Sequence, residues 1–294
     1  MNNKTKYYSA CITAYAIWGF FSLVLKPLHA YAALDILFYR IFICTIIMLL
    51  IVVMAKRAAV KEAVQHFKSR PKAEQQKFLL INIAGGTLLT ANWLSFIYVL
   101  NNVSIKATSL AYMVCPILTT LLAYFILKEK LTGQQWVSII LSVLGCSLLA
   151  FNHLTDIAFS IIIGLSYAVY LITQRVNRGF DKFLTLTIHF MVASIVLLPF
   201  YPAYSAAVPV SSLFWILISV IAVFFTIIPL FLNLYALKGL NSSTTGMLLN
   251  INPVIAFALA IGVYHEKIDG LQIVAYATIF MAVILFNVKG SKQK

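Results

Sequence analysis

The residues that could carry chemistry in this chain are polar groups set inside long apolar runs. Arg40 lies deepest among the charged ones, and a charged side chain near the centre of a membrane helix costs roughly 2.5–3.5 kcal/mol. It is expected to face water or a partner. Asn92 and Trp93 share a run with Gly85 and Gly86. Their amide and indole groups are costly to turn toward lipid, while paired glycines let another helix come close. Asn92 and Trp93 should therefore point inward, into a cavity or into packing. Pro116 and Pro253 sit inside apolar runs, where each frees a backbone carbonyl one turn earlier and permits a kink. Asn250 and Asn252 stand beside the second proline, and Tyr112, Thr119 and Thr120 beside the first. His189 has an unperturbed pKa of about 6.5, which makes it the ready midspan candidate for moving a proton. Trp18, Tyr112 and Tyr167 lie deeper than the aromatic residues at run ends, which form an interfacial belt.

Other chemistries find no footing. Asp35, Glu62, Glu74, Glu129, Asp156, Asp181, Glu266 and Asp269 all fall at run ends or in connections, so a midspan carboxylate relay is not expected. No phosphate-binding glycine loop, G-x-S-x-G or H-E-x-x-H occurs, and no catalytic residue or cofactor is expected. Cys11, Cys44, Cys115 and Cys146 stand singly, with no histidine at zinc-ligand spacing, and read as packing residues; no metal is expected.

The elements that position these groups follow from composition. With 62% hydrophobic residues, 10% charged ones and a mean hydropathy of +0.94, the chain has too little polar surface to cover a soluble globule. Its solvent is lipid. Ten membrane-crossing helices can be drawn, over 7–25, 33–54, 78–100, 107–127, 134–151, 157–174, 183–201, 213–237, 244–264 and 271–286. Lys4 and Lys6 precede the first as in a signal peptide, but no small-x-small cleavage pattern follows, so it is read as a span.

The spans form a repeat. PILTTLLAYFILKEKLTGQQ, beginning at Pro116, returns as PVIAFALAIGVYHEKIDGLQ, beginning at Pro253, with Glu129 on Glu266, Gly133 on Gly270 and Gln135 on Gln272 at one offset of 137 residues. Earlier parts match at an offset of 149, which puts Trp18 on Tyr167, Lys26 on Arg175 and Arg40 on His189. The fold class is therefore an all-α membrane protein of ten transmembrane helices, with repeats over 1–152 and 153–294. Five crossings per half make the repeats inverted in the membrane.

Charge sets the orientation. The net charge of +14 is no nucleic-acid signature, because the basic residues sit between apolar runs. With both termini placed in the cytoplasm, eighteen Lys and Arg face inward and only Lys26, Lys106 and Lys267 outward. The polar stretch 56–77 reads as a basic surface helix on anionic lipid. Lys26 and Arg40 then lie toward the outer mouth, Arg175 and His189 toward the inner one, and Glu266 and Glu129 at the same two mouths. These charges either snorkel and set topology, or act as gates that attract an anion.

IWG at Ile17 with Lys26, DILFYR ending at Arg40, NWLSFIYVLNN from Asn92, Pro116 with KEKL, and TIIPLFLNLYAL from Thr226 with NINP ending at Pro253 together resemble the RarD branch of the EamA-type drug/metabolite transporters. The pattern departs from that branch at Tyr39 and at Ala91-Asn92. The resemblance implies a ten-helix, five-plus-five transporter of the bacterial inner membrane. The expected function is secondary transport of a small polar or amphipathic metabolite or drug by alternating access. The alternatives are a passive facilitator or channel, or a membrane scaffold. Expected partners are a small-molecule substrate and membrane lipid, with no nucleic acid and with room for a homodimer.

Overall fold

The computed structural model describes residues 3–103, 105–149, 154–177, 180–265 and 270–288. Every regular element among them is a helix. In chain order these are α1 (Asn3–Gly19), α2 (Phe21–Leu25) with a 3₁₀ turn (Lys26–Leu28), α3 (Ala33–Ala55), α4 (Arg57–Lys68), α5 (Lys72–Asn102), α6 (Ile105–Leu127) and α7 (Gly133–Leu149). The second half contributes α8 (Leu154–Val176), α9 (Lys182–Leu197), α10 (Tyr201–Tyr204) and α11 (Ser212–Ala222). A π-helical segment (Val223–Ile227) leads into α12 (Ile228–Ala236), and α13 (Ser242–Leu248), α14 (Ile251–Gly262) and α15 (Gly270–Asn287) follow.

Eight described helices are long and apolar enough to cross a membrane, some of them as joined pairs such as α11 with α12. The other two expected spans, α7 and α9, are apolar but have only 17 and 16 residues, about 24–26 Å at 1.5 Å per residue. Pro199 explains one short end, since a proline has no N–H with which to continue the helical ladder; the chain turns there into α10. The other end of α9 is fixed by Asp181, whose Oδ1 accepts from the backbone N–H groups of Phe183 and Leu184 at 2.8 and 3.0 Å. The expected surface helix forms as α4, none of whose residues is buried. Its polar stretch is shorter than the sequence suggests, because α5 already begins at Lys72.

The offset of 137 residues recurs in the backbone. Lys128 and His265 are the only non-glycine residues with positive φ among those described, at 55° and 52°, and they stand 137 residues apart. Each ends a span and turns the chain toward Glu129 or Glu266; Glu266 itself lies outside the described residues. α3 and α9 start at Ala33 and Lys182, 149 apart.

Most of the main packing runs between the halves. α6 lies along α8, α1 along α12 and α14, α5 against α8 and α9, α3 against α9 and α11, and α7 against α15. Gly85 and Gly86 show why α5 can do this: a Cβ on Gly86 would sit 2.6 Å from Val192 Cβ, and one on Gly85 2.7 Å from Gln174 Nε2. Outside the bundle, large apolar side chains such as Met54, Leu80 and Ile195 are exposed, a surface suited to lipid and not to water.

Candidate functional site

A cavity of about 790 Å³ opens into the bundle. Its walls come from the late turns of α1, α5 and α7, the early turns of α3, α6 and α15, Asp156 and Tyr167 of α8, most of the length of α14, and the π segment with Leu230. It therefore lies toward the end of the bundle opposite Asn3 and Asn287. Eight residues expected from the sequence line it: Trp18, Arg40, Asn92, Trp93, Tyr112, Tyr167, Asn252 and Pro253.

Each is held for a local reason. Trp18 donates its indole N–H to Phe225 O at 2.8 Å, a carbonyl left without its usual helical donor because residue 229 is proline. Asn92 donates from Nδ2 to Ile163 O at 2.9 Å and to Ser166 Oγ at 3.1 Å, tying α5 to α8. Trp93 stacks on Phe190 with ring centroids 6.4 Å apart, and the Arg40 guanidinium carbon lies 5.2 Å over the Trp93 ring. Arg40 forms no ion pair with any described residue. At the cavity floor, Asn233 donates to the hydroxyls of Tyr15 and Tyr167 at 3.1 and 2.8 Å.

Four expected residues lie elsewhere. Lys26 directly follows Leu25 of the wall but does not line it, its Nζ lying 3.9 Å over the Tyr264 ring. Pro116 is buried about one turn further along α6 than Tyr112 and Met113, which line the cavity. That helix runs through it unbroken, and the Thr120 hydroxyl donates to its carbonyl at 2.8 Å. The second half treats the matching proline differently, breaking between α13 and α14 ahead of Pro253. His189 is wholly buried in the seam between α9 and α5, with Nδ1 3.4 Å from the Tyr170 hydroxyl. Asn250 is also fully buried, at the α13–α14 break, and neither its Oδ1 nor its Nδ2 has a partner among the described residues. Conversely, Asp156, Thr226 and Gln272 line the cavity although sequence reasoning passed over them as a run-end acid, part of an apolar run and a repeat marker.

The profile of the EamA-like transporter family matches residues 5–151 and again residues 154–288. The chain belongs to that family. Within the EamA-like group it lies on the RarD branch: it is similar to protein RarD of Escherichia coli strain K12, 26% identical, over 94% of this chain and 91% of that one. An uncharacterized transporter of Vibrio cholerae is 28% identical over 96% of this chain and 91% of its own. A solved protein structure superposes with a TM-score of 0.76 at 13% identity, over 97% of this chain and 98% of that chain, and so shares the fold. The protein is accordingly an integral membrane protein of a transporter family.

In this EamA-family bundle the end that carries the described termini is shut. Glu129 accepts from the backbone N–H groups of Ser242 and Ser243 at 2.8 and 3.0 Å and from the Ser243 hydroxyl at 2.6 Å, closing α6 onto the start of α13. Arg175 donates to Leu237 O at 2.5 Å. Gly246 lets α13 press on α6, since a Cβ there would lie 2.7 Å from Thr119 Cβ. Of the expected mouth charges, Glu129 and Arg175 thus brace the shut end.

Proposed function

We propose that the protein is a secondary transporter of the bacterial inner membrane that works by alternating access, built from ten transmembrane helices in two inverted halves, 1–152 and 153–294. The carrying observation is an asymmetry in a duplicated body. Arg40, Tyr112 and Ser109 line an open cavity, whereas their repeat mates His189, Leu249 and Gly246 are buried at or near the shut end. A duplicated bundle that is open at one end and closed at the other has a counterpart state with the ends exchanged, and passage between the two moves a solute without a continuous pore. With both termini in the cytoplasm, as the charge distribution indicates, the cavity faces outward. Because packing runs between the halves, the moving units are helix groups drawn from both.

Proteoliposomes loaded with a bacterial metabolite extract test this reading. Mass spectrometry is expected to find compounds that leave faster when the same compound is supplied outside, the mark of a carrier. Efflux that never saturates and ignores external solute would establish a pore instead.

The shut end also bears on energy coupling. His189 is enclosed and does not reach the cavity. A group that moves protons must meet both sides in turn. His189→Gln is therefore expected to leave the steady-state ratio of internal to external solute unchanged, and a collapse of that ratio would mark His189 as the proton carrier.

A further inference from the structure

A cation enclosed without a counter-charge is costly, and most of that cost is recovered only when an anion arrives. Arg40 is such a cation. Its Nε is fully enclosed and has no hydrogen-bond partner, its side chain makes no ion pair among the described residues, and the guanidinium lines the cavity. The titratable groups beside it are the Cys44 thiol and the Tyr112 hydroxyl, neither of them a carboxylate. Asp156 shares the cavity wall but is not ion-paired with Arg40 and is engaged elsewhere. The Trp93 ring, 5.2 Å from the guanidinium carbon, attracts the charge without neutralising it.

The rest of the wall narrows the choice of anion. One guanidinium supplies one positive charge in a fork that matches a carboxylate. Around it stand Trp18, Trp93, Phe96, Tyr167 and Phe257, flat faces that favour a flat apolar body. We propose that the cavity takes a singly charged organic anion, a carboxylate on an aromatic or similarly flat skeleton, with Arg40 binding the carboxylate and the surrounding rings binding the body. This rests on the cavity being the substrate site of the transporter reading.

Purified protein in lipid discs, titrated with indole-3-acetate and phenylacetate, their amides, and tryptamine and phenethylamine, tests the assignment by calorimetry. The acids are expected to bind at least about tenfold more tightly than the amide or amine of the same skeleton, the least that a charge-assisted bond contributes. Arg40→Gln should abolish that preference, and Arg40→Lys, which keeps the charge and loses the fork, should retain part of it. Arg40→Gln should unfold at no lower a temperature than the parent, because it removes an unpaired charge. Equal binding of acid and amide, a preference for amines, a preference that survives Arg40→Gln, or no binding by either acid overturns the proposal. Acids bound through Arg40 but never exchanged across vesicles would defeat the transport reading alone. Exchange of neutral or cationic compounds only would defeat this one and leave transport standing.

Discussion

Glu129→Ala is expected to shift the bundle toward its other state about thirtyfold, by loosening the shut end by about 2 kcal/mol. The start of α13 presents backbone N–H groups that its own helix cannot satisfy. Glu129 accepts two of them together with the Ser243 hydroxyl, all within 3.0 Å. A carboxylate so placed gains from the bonds and from the positive end of the helix, and alanine offers neither. Glu129→Gln keeps an acceptor oxygen and drops the charge, so about half the effect is expected. Thr245 reads the change, because it is completely buried three residues from Ser242. The measurement is the rate at which Thr245→Cys reacts with an impermeant maleimide offered to inside-out vesicles. All four native cysteines are buried and give a low background. Labelling tens of times faster in the Glu129→Ala protein is the expected result, and an unchanged rate would show that Glu129 does not hold the end closed.

The symmetry that made the repeat legible also hid which end is shut. Pro116 with Glu129, and Pro253 with Glu266, were visible as a pattern because the backbone reverses there through left-handed residues at Lys128 and His265. The apolar runs fell on helices, some of them in two or three joined pieces, because only a helix satisfies its own backbone in lipid. The short lengths of α7 and α9 were not visible, since run length in sequence overstates a helix when Pro199 or a side-chain cap trims it. Arg40, Asn92 and Trp93 were legible as inward-facing residues, though not as cavity rather than packing for the last two, because polar groups inside apolar runs must turn inward. His189 and Asn250 obey the same rule and yet are packed away from the cavity. Inward means cavity at the open end and packed core at the shut one. That choice depends on a few bonds such as those of Glu129, whose partners lie 113 and 114 positions away. Thr226 escaped notice for a simpler reason: a hydroxyl can bond back within its own helix, as Thr226 does to Ile221 O at 2.9 Å, so this residue type does not demand a cavity.

The π-helical segment supplies the second large effect, because its widened turn depends on a partner from the other half. Pro229 has no N–H, so the Phe225 carbonyl four residues earlier lacks a donor in its own helix, and Trp18 of α1 provides one at 2.8 Å. The same indole packs 5.7 Å from the Tyr15 ring and 6.1 Å from the Tyr167 ring, above the hydrogen bonds of Asn233 that close the cavity floor. Trp18→Ala is expected to cost about 3–5 kcal/mol of stability, the usual range for deleting a packed indole. Trp18→Phe retains most of the ring and isolates the hydrogen bond, for which about 1–3 kcal/mol is expected. Pro229→Ala restores an N–H within the helix that carries the orphaned carbonyl. In that background the loss from Trp18→Phe should shrink by about 1 kcal/mol or more, a coupling that a double-mutant cycle reads directly. Unfolding by denaturing detergent in mixed micelles measures all four proteins on one scale. If the two losses add to within about 0.5 kcal/mol, the bond from Trp18 does not compensate the proline, and the π segment must be held by packing against Phe21 and the outer turns of α3.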